Sequence, residues 1–285
     1  MDRAQTIFVT GATGNQGGAV ARNLLSNGFR VKLLTRHPDS RKAQQLQHPF
    51  SEVIKGDLNE PDSYSQHLKH AQGVFSVQAI EPGREKEMWQ GITLADRAKD
   101  AGISHFVYSS VAGADQNTGI PHWETKAVIE EHIRKSGLSY TILRPVSLFE
   151  NFLIPQVKAR ILKGKLITPA KKNIQQQFIA AEDIGRMTAR IFKNPQTFKN
   201  RTITLASEEM TMEDAAEIFS GVLGKKITYA QLPGLMTKLF MGNGLYKMID
   251  YINHHDSHLV KDLNALKNEN PGLLTLKEWI SLYFR

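Results

Sequence analysis

Short apolar runs and longer amphipathic segments alternate along the first two thirds of the chain. Apolar runs bounded by glycine or polar residues are typical of buried parallel strands, and apolar spacings of three and four indicate helices. The predicted strands are Thr6–Thr10, Arg30–Thr35, Ser51–Lys55, Gly73–Val77, His105–Ser109, Ser139–Leu143 and Arg201–Leu205. The predicted helices between them are Gly18–Leu25, Ser40–Leu46, Arg84–Lys99 and His122–Arg134. This alternation predicts an α/β fold, a Rossmann-like doubly wound parallel sheet with helices on both faces.

The first predicted strand leads into three glycines at a spacing of three, Gly11, Gly14 and Gly17, and then into a helix. Glycine lets the backbone turn tightly and lets a pyrophosphate approach it. The helix N-terminus adds free N–H groups and a partial positive charge. A tight turn that binds nothing is the alternative, but the strand before and the helix after favour a dinucleotide. The predicted cofactor loop is Gly11, Ala12, Thr13, Gly14, Asn15, Gln16 and Gly17.

The spacing of this loop is GxxGxxG, which resembles the extended and atypical short-chain dehydrogenase/reductase superfamily. Within it, GATGNQGG at residues 11–18 is most similar to the NmrA-like family. The segments RPVSLFENF at residues 144–152 and FIAAEDIGRM at residues 178–187 strengthen that resemblance, which thins after about residue 230. We expect one NmrA-like unit over residues 1–285, with a dinucleotide-binding core at 1–145 and 178–205. Residues 146–177 and 206–285 would form a smaller, mostly helical C-terminal substrate lobe.

The end of the second predicted strand bears on cofactor choice. NAD-selective Rossmann units carry a carboxylate about 20 residues past the glycines, which binds the ribose 2′-hydroxyl. Here Arg36 stands nineteen residues past Gly17, and Arg41 and Lys42 follow. A guanidinium suits a 2′-phosphate, so we predict NADP(H). A solvent-facing arginine is the alternative.

Further cofactor residues are predicted where later strands end. Asp57 and Leu58 match the adenine contact of the resembled superfamily, although Asp57 could merely shape a turn. Val77 and Gln78 follow the fourth strand, at the strand ends where such folds bind ligands.

The resemblance extends to the substrate side. The segment around Phe149, Asn151 and Phe152 is predicted to line the substrate pocket, with Phe149 also near the cofactor.

Short-chain dehydrogenases use a Tyr-x-x-x-Lys pair, in which the lysine binds the nicotinamide ribose and the tyrosine transfers a proton. Lys126 matches the lysine, but His122 stands at the tyrosine position. Tyr108 and Tyr140 lie on predicted strands, so neither replaces it. His122 is a candidate acid or base. The nearby lysine disfavours its protonation, and a helix-start residue with no proton role is the alternative.

The composition narrows the class of protein. The 285 residues include no cysteine, which excludes disulfides and thiolate metal sites. The start of the chain does not resemble a signal peptide, and no apolar run is long enough to span a membrane, so we expect a cytoplasmic protein. It would be a monomer or a homodimer.

The charge of the chain is uneven. The net charge is +8, and residues 151–285 hold 19 Lys and Arg against 12 Asp and Glu. A solvated basic surface is favoured over specific nucleic-acid binding, because residues 158–172 have little aromatic interleaving. The run HHDSH at residues 254–258 has a metal-like spacing but is interpreted as a polar loop, and no metal is predicted.

Two functions follow from the pattern and the resemblance. One is an NADPH-dependent reductase of a small carbonyl or quinone compound, with catalytic residues Lys126 and His122. The other is a non-catalytic sensor of the NADPH/NADP ratio that regulates a protein partner. The missing tyrosine favours the sensor, whereas the FENF-type segment favours the reductase.

Overall fold

A computed structural model describes residues 4–79, 84–255 and 259–284. The chain divides into two units. The first comprises residues 1–116, 121–144 and 181–203, and the second comprises residues 117–120, 145–180 and 204–285. The division into a dinucleotide-binding core and a substrate lobe stays a prediction.

A seven-stranded sheet forms the centre of the first unit. Its strands are β1 (Thr6–Val9), β2 (Arg30–Thr35), β3 (Ser51–Lys55), β4 (Gly73–Ser76), β5 (His105–Ser109), β6 (Tyr140–Pro145) and β10 (Arg201–Leu205). Their order in the sheet is β10-β6-β5-β4-β1-β2-β3, and neighbours from β3 through to β6 pair in parallel. The strand order reverses between β1 and β4, as in a Rossmann fold, so the predicted fold class is confirmed.

Helices connect the strands of this sheet. They are α1 (Asn15–Ser26), α2 (Arg41–Gln44), α3 (Ser65–Leu68), α4 (Arg84–Asp100), α5 (Pro121–Lys135), α7 (Ala181–Lys193) and α8 (Pro195–Phe198). Helices α4 and α5 cover one buried cluster that includes Phe8, Phe106 and Ile129. Helix α1 packs closely on α7. The two helices are so close that a Cβ at Gly185 would lie 2.7 Å from the Ala19 carbonyl oxygen, and glycine avoids this clash.

The second unit contains two small sheets and several helices. Its elements are β7 (Ser147–Leu148), α6 (Pro155–Leu162), β8 (Lys165–Thr168), β9 (Gln176–Ile179), β11 (Glu208–Met210), α9 (Met212–Leu223), β12 (Thr228–Gln231), α10 (Gly234–His254), α11 (Leu263–Glu269) and α12 (Leu276–Tyr283). Strand β9 lies between β11 and β7, and β12 pairs with β8. Helix α10 is interrupted at Gly242, where φ is 74°. The described residues after 231 are mostly helical, as expected.

Aromatic side chains fill the core of the second unit. Phe149 stacks on Phe178 at 5.8 Å between ring centroids, and Phe152 meets Phe219 edge-on at 5.2 Å. Trp279 contacts both Phe149 and Phe152 and donates a hydrogen bond from its indole to Glu150. Burial of such rings accounts for much of the stabilisation available to a unit of this size.

Three local predictions were wrong. Helix α1 begins at Asn15, three residues before the predicted start, because the Gly14 carbonyl already accepts from the Gly18 N–H at 3.0 Å. Helix α2 spans only Arg41–Gln44. The sequence also predicts a helix over Met210–Leu223, whereas Met210 belongs to strand β11 and the helix begins at Met212, where Thr211 caps it through Asp214.

Candidate functional site

The loop after β1 depends on glycine at two positions for different reasons. Gly11 has φ +60°, a conformation that side chains disfavour. Gly14 donates its N–H to the Gly11 carbonyl at 2.8 Å, which closes the turn. A Cβ at Gly17 would lie 2.3 Å from the Gly11 carbonyl oxygen, so the first turn of α1 touches the loop backbone. The chain therefore leaves an open backbone surface at a helix N-terminus, which suits a phosphate group.

The loop sits where the strand order reverses. Thr10 donates from its hydroxyl to the Val77 carbonyl at 2.9 Å and accepts from the Val77 N–H at 2.8 Å. These bonds join the end of β1 to the chain just after β4. Ligands of open α/β sheets bind outside the strand ends at this reversal.

A cleft of about 270 Å³ opens beside the glycine loop. The predicted cofactor residues that line it are Gly11, Thr13, Gly14, Arg36, Asp57, Leu58 and Val77. Residues from the ends of β1, β2, β3 and β4 thus meet in one space, although up to 66 positions separate them in the sequence. Their binding roles stay predictions.

Other predicted cofactor residues do not line this cleft. Ala12 and Gly17 are buried beneath the loop, and Asn15 is exposed at the start of α1. Gln16 accepts a hydrogen bond from the Ser109 hydroxyl at 2.5 Å. The buried Gln78 donates to Ser76 at 2.9 Å, and its Oε1 accepts no hydrogen bond from the described residues.

Two charged residues in the cleft differ in their surroundings. Arg36 is exposed at the end of β2, beside His37. Asp57 accepts hydrogen bonds from both the backbone N–H and the side-chain amide of Asn59, each at 2.9 Å. Asp57 therefore shapes the turn after β3, and Gln90 of α4 supports that turn by donating to Asn59 at 3.0 Å. The turn role and a ligand role are compatible, because Leu58 and Asp57 both face the cleft.

The predicted catalytic pair lies on α5. Lys126 is 6% exposed, and its Nζ is 2.8 Å from Oε1 of Glu87 on α4. The same ammonium stands 5.8 Å from the ring centroid of Tyr108 on β5. His122 is half-buried one turn earlier, in contact with the Trp123 ring.

Burial lowers the pKa of His122 below its ordinary value of 6.5. The negative charge of Glu87 opposes that shift, and the positive charge of Lys126 adds to it. His122 is therefore mostly neutral at pH 7 and is better placed to accept a proton than to give one.

No tyrosine of the described chain takes the missing position in α5. Tyr108 lies on β5 and Tyr140 on β6, as predicted. Burial raises the pKa of Tyr108 well above 10, with the charges of Glu87 and Glu130 adding to the effect. Tyr108 is thus a poor proton donor.

Two groups of charged residues escaped prediction. Glu87 is one of two acids in the first turn of α4, and no sequence pattern pairs it with Lys126. Arg144 forms a bidentate pair with Glu130, at 2.9 Å and 2.6 Å, and also contacts Asp115 at 2.5 Å. Arg144, at the end of β6, is thereby connected to α5 through Glu130 and to the segment after β5 through Asp115. The only hint of these contacts in the sequence is the dipeptide Arg144-Pro145, which belongs to the segment that resembles the NmrA-like family.

Residues predicted to line a substrate pocket belong to the second unit. Phe149 is fully buried and Phe152 is 4% exposed, both within the aromatic core described above. Asn151 is exposed in the 3₁₀ turn Phe149–Leu153. The structure gives the two phenylalanines a packing role, and their substrate role stays a prediction.

The run HHDSH begins at the end of helix α10. His254 is the last residue of α10, and His255 follows it with its ring stacked on Tyr251. Residues 256–258 lie outside the described residues. Among residues 4–79, 84–255 and 259–284, no three His, Asp or Glu side chains form a group that could hold a metal ion.

In the same part of the chain, no helix has the length and apolar character needed to cross a bilayer.

Sequence comparison decides the family. The sequence profile of the NmrA-like family matches residues 3–280. The chain belongs to the NmrA-like family. Within the NmrA-like family it is 32% identical over 252 residues to the oxidoreductase FrzB of Cladobotryum sp.. That match covers 78% of this chain and 75% of the relative.

Solved structures resemble this NmrA-like chain along nearly its whole length. A Citrobacter sp. triphenylmethane reductase complexed with NADP(H) has a TM-score of 0.81 at 24% identity, covering 97% of this chain and 99% of that one. An NADPH-dependent quinone oxidoreductase complexed with NADPH from Escherichia coli has a TM-score of 0.79 at 22% identity, covering 98% and 100%. At these identities the likeness is one of fold.

Proposed function

We propose that this chain binds NADP(H) and acts as an NADPH-dependent reductase of a small carbonyl or quinone compound. The observation that carries the proposal is the cleft in which the glycine loop and Arg36 meet. The relative named an oxidoreductase and the two reductase structures crystallised with NADP(H) or NADPH support it.

The residues present fit such a dinucleotide. The backbone surface left open by Gly11, Gly14 and Gly17 would hold the pyrophosphate at the N-terminus of α1. Arg36 would bind the 2′-phosphate, and Leu58 would pack against the adenine. Lys126 would anchor the nicotinamide ribose. When bound, NADPH would supply a hydride.

The proton donors available near Lys126 favour quinones over aldehydes as substrates. An aldehyde that gains a hydride becomes a strongly basic alkoxide and needs a proton donor near the carbonyl oxygen. His122 is mostly neutral at pH 7, and Tyr108 is buried with a raised pKa. A reduced quinone is a much weaker base, and water can protonate it. This site therefore suits an acceptor that needs no protein acid.

Two measurements test the proposed function. Anaerobic titration with NADPH, followed by steady-state assays on quinones and aldehydes, should show binding and turnover of quinones above that of aldehydes. Lys126→Ala should weaken NADPH binding and reduce turnover, because the ribose loses its anchor. Lys135→Ala, at an exposed lysine of the same helix, serves as the control. Faster turnover of aldehydes would contradict the assignment of the substrate class.

A non-catalytic sensor is the second candidate. His122 at the tyrosine position of α5 is the observation that favours it. Tight NADPH binding without turnover of any acceptor in the panel would support the sensor and refute the reductase. His122→Phe separates the two in an active enzyme: a loss of about tenfold or more would give His122 a proton role. Unchanged turnover would exclude that role.

A further inference from the structure

Glu87 is a buried carboxylate that the proposed function does not use. It lies in α4, is 3% exposed, and faces α5. Its Oε1 is 2.8 Å from Lys126 Nζ, and its Oε2 accepts a hydrogen bond from the Thr125 hydroxyl at 2.9 Å. Thus two consecutive residues of α5 contact both oxygens of one carboxylate.

The packing of α4 on α5 makes this contact possible. A Cβ at Gly91, one turn after Glu87, would lie 2.7 Å from the Ile129 side chain. The missing side chain lets the two helices approach closely, so Glu87 reaches Lys126 without leaving the interior. Both charged groups are almost completely buried. An unpaired charge is strongly unfavourable in such an interior, so each group needs the other.

The ion pair also constrains Lys126. Its side chain is 8% exposed and its ammonium lies over the Tyr108 ring. The contact with Oε1 has the distance of an ion pair but not the angular geometry of a hydrogen bond. The ammonium therefore keeps donors available for another acceptor, such as a ribose hydroxyl.

Charge from the same carboxylate reaches His122. The charged groups that act on this imidazole are Glu87 from α4 and Lys126 from its own helix, and they act in opposite directions. A lysine four residues after a histidine, with no anion nearby, would disfavour the imidazolium. The charge of Glu87 offsets that effect of Lys126.

We propose that Glu87 is a positioning residue of the nicotinamide end of the site: it fixes Lys126 Nζ and offsets its charge at His122. The assignment rests on the proposed function for the role of Lys126 toward a cofactor. The contacts among Glu87, Thr125 and Lys126 themselves do not depend on it. No other described residue forms an ion pair with Lys126.

The test uses Glu87→Gln, which keeps the shape of the side chain and removes its charge. Amine labelling of the folded, cofactor-free protein, read by mass spectrometry at Lys126, should be at least about tenfold faster than in the unmodified protein. The pKa of His122, followed by NMR, should fall further below its ordinary value. Glu131→Gln is the matched control, because Glu131 pairs with Lys135 on the exposed side of α5. It should leave both readouts unchanged.

Two more variants keep the test decisive if Glu87→Gln does not fold. Glu87→Asp retains the charge but withdraws it by one methylene, so Lys126 should label faster while His122 titrates nearly as before. Glu87→Gln combined with Lys126→Met removes both charges and should regain thermal stability lost in the single variant. Lys126 labelling at the unmodified rate in whichever of Glu87→Gln and Glu87→Asp folds would overturn the proposal.

These readouts separate this inference from the proposed function. If NADPH fails to bind the unmodified protein, the proposed function is wrong, yet labelling and the His122 titration still test Glu87. If NADPH binds but Glu87→Gln changes neither readout, the positioning role is wrong and the proposed function stands.

Discussion

Replacement of Gly17 by alanine tests the cofactor loop most sharply. The added Cβ would lie 2.3 Å from the Gly11 carbonyl oxygen, 2.5 Å from its carbonyl carbon and 2.6 Å from the Thr10 carbonyl oxygen. Ordinary contacts begin near 3.4 Å, and all three atoms belong to the backbone. The start of α1 must therefore move by about 1 Å from the loop, at a cost on the order of 1–3 kcal/mol or more. We expect NADPH affinity to fall by at least about a hundredfold, because the phosphate-facing N–H groups move with the helix.

Gly14→Ala is the matched control. A Cβ there would meet only the Gly11 carbonyl oxygen, at 3.2 Å, which small shifts can relieve. Urea denaturation should rank the unmodified protein first, Gly14→Ala second and Gly17→Ala last. The control applies to stability alone, because Gly14 also lines the cofactor cleft. Equal stability of the two variants would refute a close contact of α1 with the loop at Gly17.

Two further predictions concern pH and nucleic acid. Burial, with the charge of Lys199 adding to it, lowers the pKa of His105 from 6.5 to about 4, so His105 folds neutral. The contribution of neutral His105 to the free energy of unfolding is complete above pH 6.5 and is lost as the pH falls towards 4. Urea denaturation should therefore show a free energy of unfolding about 2 kcal/mol lower at pH 5 than at pH 8. His105→Gln should remove most of that difference, and an unchanged difference would contradict the assignment. Despite the basic second half, a gel shift at physiological salt should show no sequence-preferring DNA complex, whereas weak binding that vanishes with added salt is nonspecific.

Local signals made the sheet and the glycine loop predictable. Strands β1 to β5 each contain a short apolar stretch that needs no distant partner to be recognised, and Gly11, Gly14 and Gly17 mark a turn between a strand and a helix. Arg36 was predictable because its distance from the glycines fixes its place at the end of β2. The start of α1 at Asn15 was not predictable, because glycine lowers helix propensity. Backbone hydrogen bonds nevertheless favour the helix here.

Features that depend on distant contacts were not predictable. The partner of Lys126 is Glu87, which precedes it by 39 positions and resembles any acid in a first helical turn. The small sheet of β7, β9 and β11 was missed because β7 and β11 have only two and three residues, too few for a periodic pattern. The aromatic residues around Phe149 were recognised by resemblance, which did not show that Phe149 and Phe152 pack in a core.

Calorimetric titration of NADPH and NADH at low salt tests the central claim most directly. The two cofactors differ only in the 2′-phosphate, and Arg36 lines the cleft at the end of β2. A charge-assisted hydrogen bond there contributes about 1.5–3 kcal/mol, so NADPH should bind roughly tenfold to a hundredfold more tightly. Arg36→Ala should remove most of that preference, while Arg30→Ala at the other end of β2 should keep it. Equal dissociation constants for the two cofactors in the unmodified protein would contradict the account.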